Sequence, residues 1–409
     1  MRALVPILAL ALALPAHAQR SLGRIRRVQQ DWPRLTAQIG GRTLSTFSFD
    51  GHVHTDHSRD ARHPTGDVLF LAALADLDAL VITDHGSSHA TQDLDGYRGD
   101  VAVLVGEEVG GPFGHAVIWN VPERRGVQDA RETLRDLGAH VHAQGGVLVL
   151  AHPGWWMTHN TYDPRRWMDP QSLRRGGISE NVDALELWNA VYYQRSRELL
   201  DQWVALLEQG IFVPIVGGSD FHVYGAHFLG TPRNVFSCAV DRDGRPATPL
   251  GECLLEAVRR GRLFVSDGPV ATLDVAGHTM GEVLGVRPGA ELRVQVRAVA
   301  PRGGQLRVFL GRNVAGTLDL PPGEERSRIW TLRAPAEDSF VRVEIERATP
   351  VENATSFSLV SNPVLLDVGP ARASWRGQDE GRLAAPPGYR RPGDRSRPNL
   401  SRRARSEEE

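Results

Sequence analysis

The stretch DGHVH (Asp50–His54) follows an apolar run with strand-like alternation, and far downstream the stretch GSDFH (Gly218–His222) has the same character. Side chains alternate faces along an extended strand, so residues two apart point the same way. The two histidines of the first stretch therefore present two ligands to one point, as do the aspartate and histidine of the second. Together the stretches predict a metal site at the ends of two strands.

Three motifs between these stretches carry the same residue types. They are TDH (Thr83–His85), GEE (Gly106–Glu108) and AHP (Ala151–Pro153). Imidazole suits zinc, iron and manganese, and carboxylates bridge such ions and hold them close. Separate segments that all converge on His, Asp and Glu are improbable as accidents of packing. The sequence therefore predicts a site for more than one metal ion, and with it a hydrolase.

Short apolar runs alternate with helical patterns from residue 47 to residue 236. The predicted strands are Ser48–Val53, Ala79–Ile82, Val101–Val105, Val117–Trp119, Val147–Leu150, Ala184–Leu187 and Phe212–Val216. The predicted helices are Thr65–Ala75, with Thr65 as its cap, Asp129–Ala143 and Arg195–Glu208. This order predicts an α/β domain with a mainly parallel sheet, open or closed as a barrel. Nearly every candidate ligand lies at a strand end, where such sheets build their sites.

The pattern changes after residue 236. A helix over Gly251–Arg260 and alternating strands between Gly-rich and Pro-rich segments predict a linker helix and a β-sandwich over residues 237–370. The strands are Glu291–Ala298, Gln305–Leu310, Ile329–Leu332 and Phe340–Glu346. Residues 371–409 are rich in Arg, Pro, Gly and Ser with almost no apolar periodicity, so they are predicted to form a disordered tail.

The amino terminus has the features of a secretory signal. Arg2, the apolar run Ala3–Leu14 and the Ala-x-Ala site Ala16–Ala18 predict a signal peptide over residues 1–18, followed by an N-terminal segment over residues 19–46. An uncleaved anchor is the alternative. The apolar run is too short to span a bilayer in the mature protein, and no later stretch approaches the length of a membrane helix. We expect an exported protein, periplasmic or secreted.

Composition excludes several other classes of function. The chain has 409 residues, a formal net charge of −2 and 47 basic residues, all of which are arginine. The lack of lysine excludes Schiff-base and lysine general-base mechanisms. Without a chain-wide basic excess, no nucleic-acid partner is expected. Cys238 and Cys253 are too few for a disulfide framework or a thiolate zinc site, and the sequence leaves open whether they pair.

The order of the motifs carries a family resemblance. His-x-His, Thr-Asp-His, Gly-x-Glu, Gly-His, Ala-His-Pro-Gly and Ser-Asp-x-His resemble the pattern of the PHP (polymerase and histidinol phosphatase) superfamily. ELWN (Glu186–Asn189), GGSD (Gly217–Asp220) and the added β domain are similar to the branch named after a carbaryl-hydrolysing enzyme. The resemblance covers residues 47–236. It implies a distorted seven-stranded β/α barrel with a trinuclear centre, and hence two to three divalent ions of zinc, manganese or iron.

By this resemblance, nine residues are the metal ligands. They are His52, His54, Asp60, His85, Glu108, His115, His152, Asp220 and His222. The sequence departs from the family pattern at one position. Many relatives have Ser-Asp after the first histidine pair, whereas SRD (Ser58–Asp60) displaces the acid by one residue. His57 and His63 are therefore alternatives for that ligand.

Several neighbouring residues have two interpretations. Asp84 either orients a ligand histidine or caps a turn. Glu186 and Asn189 either contact substrate or ligands, or form hydrogen bonds within their loop. The pairs Trp155–Trp156 and Arg165–Arg166 either wall the pocket and clamp an anion, or pack locally and face solvent. The remaining histidines are predicted to be structural or on the surface: His89, His140, His142, His159, His227 and His278.

A cluster of divalent cations favours hydrolysis. Water bound to such ions loses its proton near neutral pH, and the resulting metal-bound hydroxide is the predicted nucleophile. A small-molecule phosphoester is the predicted substrate, because three cations match a phosphate dianion. A carboxyl ester, carbamate or amide is the alternative for the same site. A non-catalytic exported binding protein is the alternative from another class, and the sequence does not indicate an oligomeric state.

Overall fold

The fold is of the mixed α/β class, and strands outnumber helices. The computed structural model describes residues 32–86, 88–94, 99–111, 114–121, 134–153, 182–191, 193–225, 227–348 and 355–369. Its helices are α1 (Thr65–Leu74), α2 (Ala90–Asp93), α3 (Leu134–Ala143), α4 (Ser196–Glu208), which follows a 3-10 turn over Tyr193–Arg195, and α5 (Leu250–Arg260). None of the helices in these ranges is long and apolar enough to cross a membrane.

The strands fall into an amino-terminal and a carboxy-terminal series. The first series is β1 (Thr36–Ile39), β2 (Arg42–Asp50), β3 (Ala79–Ile82), β4 (Ala102–Gly111), β5 (Gly114–Trp119), β6 (Val147–Leu150), β7 (Ala184–Asn189), β8 (Ile215–Gly218) and β9 (Arg233–Ala239). The second series is β10 (Leu263–Ser266), β11 (Val270–Val275), β12 (Val283–Gly285), β13 (Glu291–Val299), β14 (Gly304–Leu310), β15 (Asn313–Leu320), β16 (Glu325–Arg333), β17 (Ser339–Arg347), β18 (Phe357–Ser361) and β19 (Val364–Asp367).

One hydrogen-bonded path joins most of the strands. It runs in the order β12-β19-β17-β18-β10-β9-β2-β3-β4-β5-β6-β7-β8. The pairs β2–β3, β3–β4, β6–β7 and β7–β8 are parallel, while β5 is antiparallel to both of its neighbours. The carboxyl ends of the parallel strands and the beginning of β5 therefore lie along the same edge of the sheet.

The predicted seven-stranded barrel is not confirmed, because this path is open. Within the described ranges, β8 forms a strand ladder only with β7. A single bridge between Val53 and Phe221, just beyond the ends of β2 and β8, links the two sides. At that bridge the amide of His54 donates to the Phe221 carbonyl at 2.9 Å. The ends of β2 and β8 are thus neighbours although the strands themselves are not paired.

The core lies on both faces of the amino-terminal strands. Phe49, Val149 and Val216 pack with Trp119 and with helix α5 on one face. On the other face, strand residues that include Leu148 pack against α3 and α4. Strands β3 and β6 are buried along their whole length. Their continuous apolar runs are typical of strands covered on both faces, which is why the predicted and observed bounds of both coincide.

The carboxy-terminal strands continue the same sheet. β10 pairs with β9 on one side and with β18 on the other. A second sheet, β11-β13-β16, packs against β14 and β17 through a core that includes Val294, Val296, Val308 and Val343. The predicted β-sandwich is therefore not confirmed as a unit of its own, and a boundary at residue 236 would fall inside β9.

Several predicted boundaries differ because tertiary contacts decide them, among them β2, which ends at Asp50 and not at Val53, and β8, which is Ile215–Gly218 and not Phe212–Val216. The cap position of α1 is Pro64 and not Thr65, whose hydroxyl donates to Asp93 Oδ2 at 2.7 Å. Strand β4 was expected to end at Val105, but it continues to Gly111 because it forms a hairpin with β5. The predicted first turn of α3, residues 129–133, lies outside the described residues.

The two cysteines are paired in the structure. Cys238 on β9 and Cys253 on α5 form a disulfide across a sequence separation of 15 residues, and both are buried in the core. We expect the double substitution Cys238→Ala and Cys253→Ala to lower the free energy of unfolding by about 3 kcal/mol, because the crosslink restricts the unfolded chain. Urea denaturation without reductant measures this loss. An unchanged midpoint and slope would show that the crosslink does not stabilise the fold.

Candidate metal centre

The candidate ligands are carried by strand ends that meet along one edge. His52 and His54 follow β2, His85 follows β3, and Glu108 lies near the end of β4. β5 begins beside them because it runs antiparallel to β4, and its second residue is His115. His152 follows β6, and Asp220 and His222 follow β8. The topology thus places all of these side chains on the same side of the sheet's edge.

Glu108 is the centre of the cluster. Its carboxylate is almost fully buried, and each oxygen faces a different set of imidazole nitrogens. Oε2 lies 3.2 Å from His52 Nε2, 3.2 Å from His54 Nε2 and 3.3 Å from His85 Nδ1. Oε1 lies 2.7 Å from His115 Nδ1 and 3.1 Å from His152 Nε2. One carboxylate therefore stands between two groups of histidines.

Two aspartates extend the cluster on the side of Oε2. Asp220 Oδ1 lies 3.4 Å from Nε2 of both His52 and His54. Asp60 lies farther out: its Oδ2 is 3.4 Å from His85 Nε2, and its Oδ1 is 3.6 Å from His222 Nε2. The carboxylate of Asp60 is about half exposed, so it borders the open side of the site.

The ligand atoms form four groups of three or four, within each of which all atoms lie within 4.8 Å of one another. The groups are His54, His85 and His222; His52, His54, Glu108 and Asp220; His52, His152 and Glu186; and Glu108, His115 and His152. Such nitrogen and oxygen donors suit zinc, iron and manganese. The Nε2 atoms of His52 and His54 are buried and have no hydrogen-bond partner in this structure. A cation would satisfy both, so the residues fit a metal.

The charges of the site favour a cation at the same place. Burial lowers the pKa of His52, but the carboxylates of Asp220, Glu186 and Glu108 outweigh it and raise that pKa well above its usual value. A similar balance between burial and the facing carboxylates raises the pKa of His54 to about 9. Burial raises the pKa of Glu108, yet the histidines around it hold that pKa well below its usual range. The site thus stabilises positive charge, which a cation would supply in exchange for protons.

Glu186 orients two of the histidines. Its carboxylate accepts hydrogen bonds from His52 Nδ1 at 3.0 Å, from the His152 amide at 2.7 Å and from Asn189 Nδ2 at 3.2 Å. Because Nδ1 of His52 donates to Glu186, its Nε2 faces Glu108 and is the nitrogen that would hold a metal. The close approach requires glycine at residue 218, because a Cβ atom there would collide with Glu186 Oε1 and with the Cβ atom of His52.

Asp84 acts on the site through a serine. Its fully buried carboxylate accepts from the Thr55 amide at 2.6 Å, the Thr55 hydroxyl at 2.7 Å and the Ser58 hydroxyl at 3.0 Å. Since Ser58 donates to Asp84, its oxygen accepts from His54 Nδ1 at 3.0 Å and from the His85 amide at 2.9 Å. His54 therefore also presents Nε2 toward Glu108. Ser58 had no predicted role.

Two candidate ligands have strained backbones. His152 has φ 26° and Asp220 has φ 50°, both in the left-handed region that residues other than glycine rarely adopt. Strain of this kind persists only where the surrounding structure fixes it, and it concentrates at functional sites. Asn189 Nδ2, which lies 3.3 Å from Asp220 Oδ2, contributes to that support.

The other histidines differ in whether they contact the cluster. His57 Nε2 pairs with Asp93 at 2.8 Å, and His142 pairs with Asp183 at 2.8 Å, so both point to partners outside the cluster. His227 was predicted to be structural or on the surface, but its Nδ1 accepts the His222 amide at 3.3 Å and so borders the site. The predictions for Trp155, Trp156, His159, Arg165 and Arg166 lie outside the described residues.

The ambiguous ligand position can be tested by mutation. Asp60 faces two histidines of the cluster, whereas His57 pairs with Asp93 and His63 Nε2 accepts the Tyr224 amide at 3.0 Å. We expect Asp60→Ala to weaken divalent-metal binding by about tenfold or more. His57→Ala and His63→Ala are the matched controls, and they should change it by less than about threefold. Isothermal titration of the metal-free variants measures this. A larger loss in either histidine variant than in Asp60→Ala would assign the position differently.

Comparison with known proteins adds little. No protein-family model matches the chain, and no curated protein matches it. Among the solved chains that match are a Bifidobacterium adolescentis protein proposed to be a metal-dependent phosphoesterase and a Chromobacterium violaceum amidohydrolase with bound sulfate and no metal. The first is 17% identical, with 50% of this chain and 95% of that chain covered and a TM-score of 0.35. The second is 16% identical, with 51% and 96% covered and a TM-score of 0.35.

A third solved chain resembles a smaller part. The sulfur carrier protein SoxY from Chlorobium limicola f. thiosulfatophilum is 14% identical, with 24% of this chain and 79% of that chain covered and a TM-score of 0.19. Similarities of this size carry no argument about activity.

Proposed function

We propose that this chain is a metal-dependent hydrolase with a phosphoester as its substrate class and a PHP-type barrel with a trinuclear centre as its catalytic unit. The position of Glu108 carries the proposal. One of its carboxylate oxygens faces three histidines and the other faces two more, all within 3.3 Å. This placement is typical of a carboxylate shared between cations.

The ligand set would hold the ions, and the residues behind it would hold the ligands. Divalent cations bound there would lower the pKa of water and stabilise negative charge on substrate oxygens. Glu186 fixes the ring of His52, and Ser58, itself held by Asp84, fixes the ring of His54. These partners keep the rings in place before a metal binds, so little reorganisation is needed when it does.

The charge of the site favours a phosphoester over the alternatives. Several cations in one cluster match the charge of a phosphate dianion, whereas a carboxyl ester, carbamate or amide carries no such charge. The neutral substrates can use the same polarising groups, so they belong in the same test as competing outcomes.

Export is part of the proposal. The leader pattern over residues 1–18 supports it. The disulfide between Cys238 and Cys253 supports it independently, because disulfides form and persist in oxidising compartments.

A substrate screen on metal-free and reconstituted protein tests the proposal. The protein is stripped with a chelator, reloaded separately with Zn²⁺, Mn²⁺ or Fe²⁺, and assayed with chromogenic phosphomonoesters, phosphodiesters, carboxyl esters and carbamates. We expect turnover of at least one phosphoester that depends on reloading and that the Glu108→Gln variant lacks. Turnover confined to carboxyl esters or carbamates would show that these, and not phosphoesters, are the substrate class. No metal-dependent turnover of any substrate would contradict the proposed hydrolase.

A further inference from the structure

Backbone amides along the unpaired edge of β8 donate hydrogen bonds to side chains. Within the described ranges no strand pairs with this edge, yet alternate amides along it donate to buried side-chain oxygens. The Ile215 amide donates to Asn362 Oδ1 at 2.8 Å, the Gly217 amide to Asn234 Oδ1 at 2.8 Å, and the Ser219 amide to Asp50 Oδ1 at 3.1 Å. The spacing of two residues is that of a strand partner, so three side chains replace a missing strand.

Asp50 is the member of this series beside the candidate centre. It is fully buried, and its carboxylate accepts from the His52 amide at 3.3 Å, the Ser219 amide at 3.1 Å and the Gly230 amide at 2.7 Å. These amides come from the end of β2, the end of β8 and the segment before β9. One carboxylate therefore joins the end of β8 to the end of β2 and to the segment before β9, although in the described ranges β8 forms no ladder with either strand.

The joined segments carry four candidate ligands. His52 and His54 lie just after Asp50, and Asp220 and His222 lie just after the Ser219 amide that it accepts. The two ligand pairs face each other across the space between the ends of β2 and β8. A productive site tolerates displacements of its ligands of only about 0.5 Å.

We propose that Asp50 is a positioning residue for the candidate metal centre: its carboxylate sets the spacing between the ligand pair after β2 and the ligand pair after β8. The inference rests on the proposed function, because the spacing matters only if those residues hold cations. Asp50 is not itself a ligand in this account, since its oxygens are occupied by three amide donors.

The chemistry of the position requires a carboxylate. Three N–H groups converge on two oxygens, so an asparagine would turn its own N–H donors toward at least one amide donor. The segment that donates to Asp50 is itself held by a buried arginine. Gly230, whose amide donates to Asp50, accepts through its carbonyl from Arg233 Nε at 2.9 Å, and the buried Arg233 guanidinium stacks on Trp32 at 3.6 Å.

The test compares Asp50→Asn with a matched change at the far end of the same edge. Asn362→Leu removes the bonds to Ile215 and to the Leu263 carbonyl, and it is remote in sequence from every candidate ligand. Calorimetric titration of metal-free protein with Zn²⁺ or Mn²⁺ measures affinity, and hydrogen exchange measures protection of the amides in residues 215–222. Asp50→Ser, which leaves room for a water molecule, replaces Asp50→Asn if the latter fails to fold.

We expect Asp50→Asn to weaken metal affinity by about 10- to 100-fold, while Asn362→Leu changes it by less than about threefold. Exchange should increase around Ser219 in the first variant and around Ile215 in the second. Wild-type affinity in Asp50→Asn, or an equal loss in both variants, would overturn the inference. If the wild-type protein binds no divalent cation, the proposed function fails, and the exchange data alone decide whether Asp50 holds the strand ends together.

Discussion

Glu108→Gln should abolish metal loading and lower metal-dependent hydrolysis by about three orders of magnitude or more. The substitution keeps the shape of the side chain but removes its negative charge. The amide could present only one oxygen as an acceptor, whereas the carboxylate presents one oxygen to each group of histidines. One of the two groups would therefore lose its acceptor, and no single carboxylate would join them. Metal content measured by plasma mass spectrometry and turnover on the best substrate from the screen report the two effects separately.

Glu107→Gln is the matched control for this change. Glu107 is the adjacent residue on β4 and is also buried, but side chains alternate along a strand, so it points to the opposite face. We expect it to keep metal content and turnover within about threefold of wild type. Equal losses in both variants would indicate general damage to β4, and full activity in Glu108→Gln would contradict the central role of this carboxylate.

His152→Ala should leave the fold largely formed and lower hydrolysis by about 10²-fold or more, with a partial loss of metal. His152 Nε2 lies 3.1 Å from Glu108 Oε1, in the group that also contains His115. The substitution empties one ligand position of that group and one of the group with His52 and Glu186, and it leaves the group of His52, His54, Glu108 and Asp220 intact. The hydrogen bond between residue 152 and Glu186 remains in this variant, because its donor is the backbone amide and not the imidazole.

His278→Ala is the control for a general effect of losing an imidazole. His278 is in the carboxy-terminal half, and its Nδ1 lies 3.3 Å from the carbonyl oxygen of Ala276. Its substitution should leave metal content and turnover unchanged. If His152→Ala retains full metal occupancy and wild-type turnover on every substrate, His152 is not a ligand.

The fold could be predicted from the sequence where local pattern and tertiary burial agree. The apolar runs of β3 and β6 are buried on both faces, so their ends coincide with the ends of the strands. β4 was predicted too short because Gly106, Glu107 and Glu108 do not have the composition of a strand, and only the hairpin with β5 makes them one. The sequence of a strand does not show which other strand it will pair with.

The candidate site could be predicted where chemistry is visible in residue type and spacing. The histidines and carboxylates at strand ends were found in this way, and the structure brings them together. Asp50 and Ser58 had no predicted role although both lie within or beside quoted motifs. Their function is to accept backbone amides from distant segments, such as Ser219 and His85, and a sequence gives no signal for such contacts.

The separate domain predicted over residues 237–370 stays a prediction, but the partners of its strands had no signal in the sequence. Their alternating pattern correctly indicates strands, but it does not show which strands they join. β10 pairs with β9, and Asn362 reaches the backbone of Ile215 on β8. The half of the chain without candidate ligands therefore supports the half that has them.

Anomalous diffraction at the metal absorption edge, from crystals of protein loaded with Mn²⁺ or Zn²⁺, tests the central claim most directly. The account predicts peaks on both sides of the Glu108 carboxylate, one among His52, His54 and Asp220 and another beside His115 and His152. Crystals of loaded protein with no peak within ligand distance of Glu108 would contradict it.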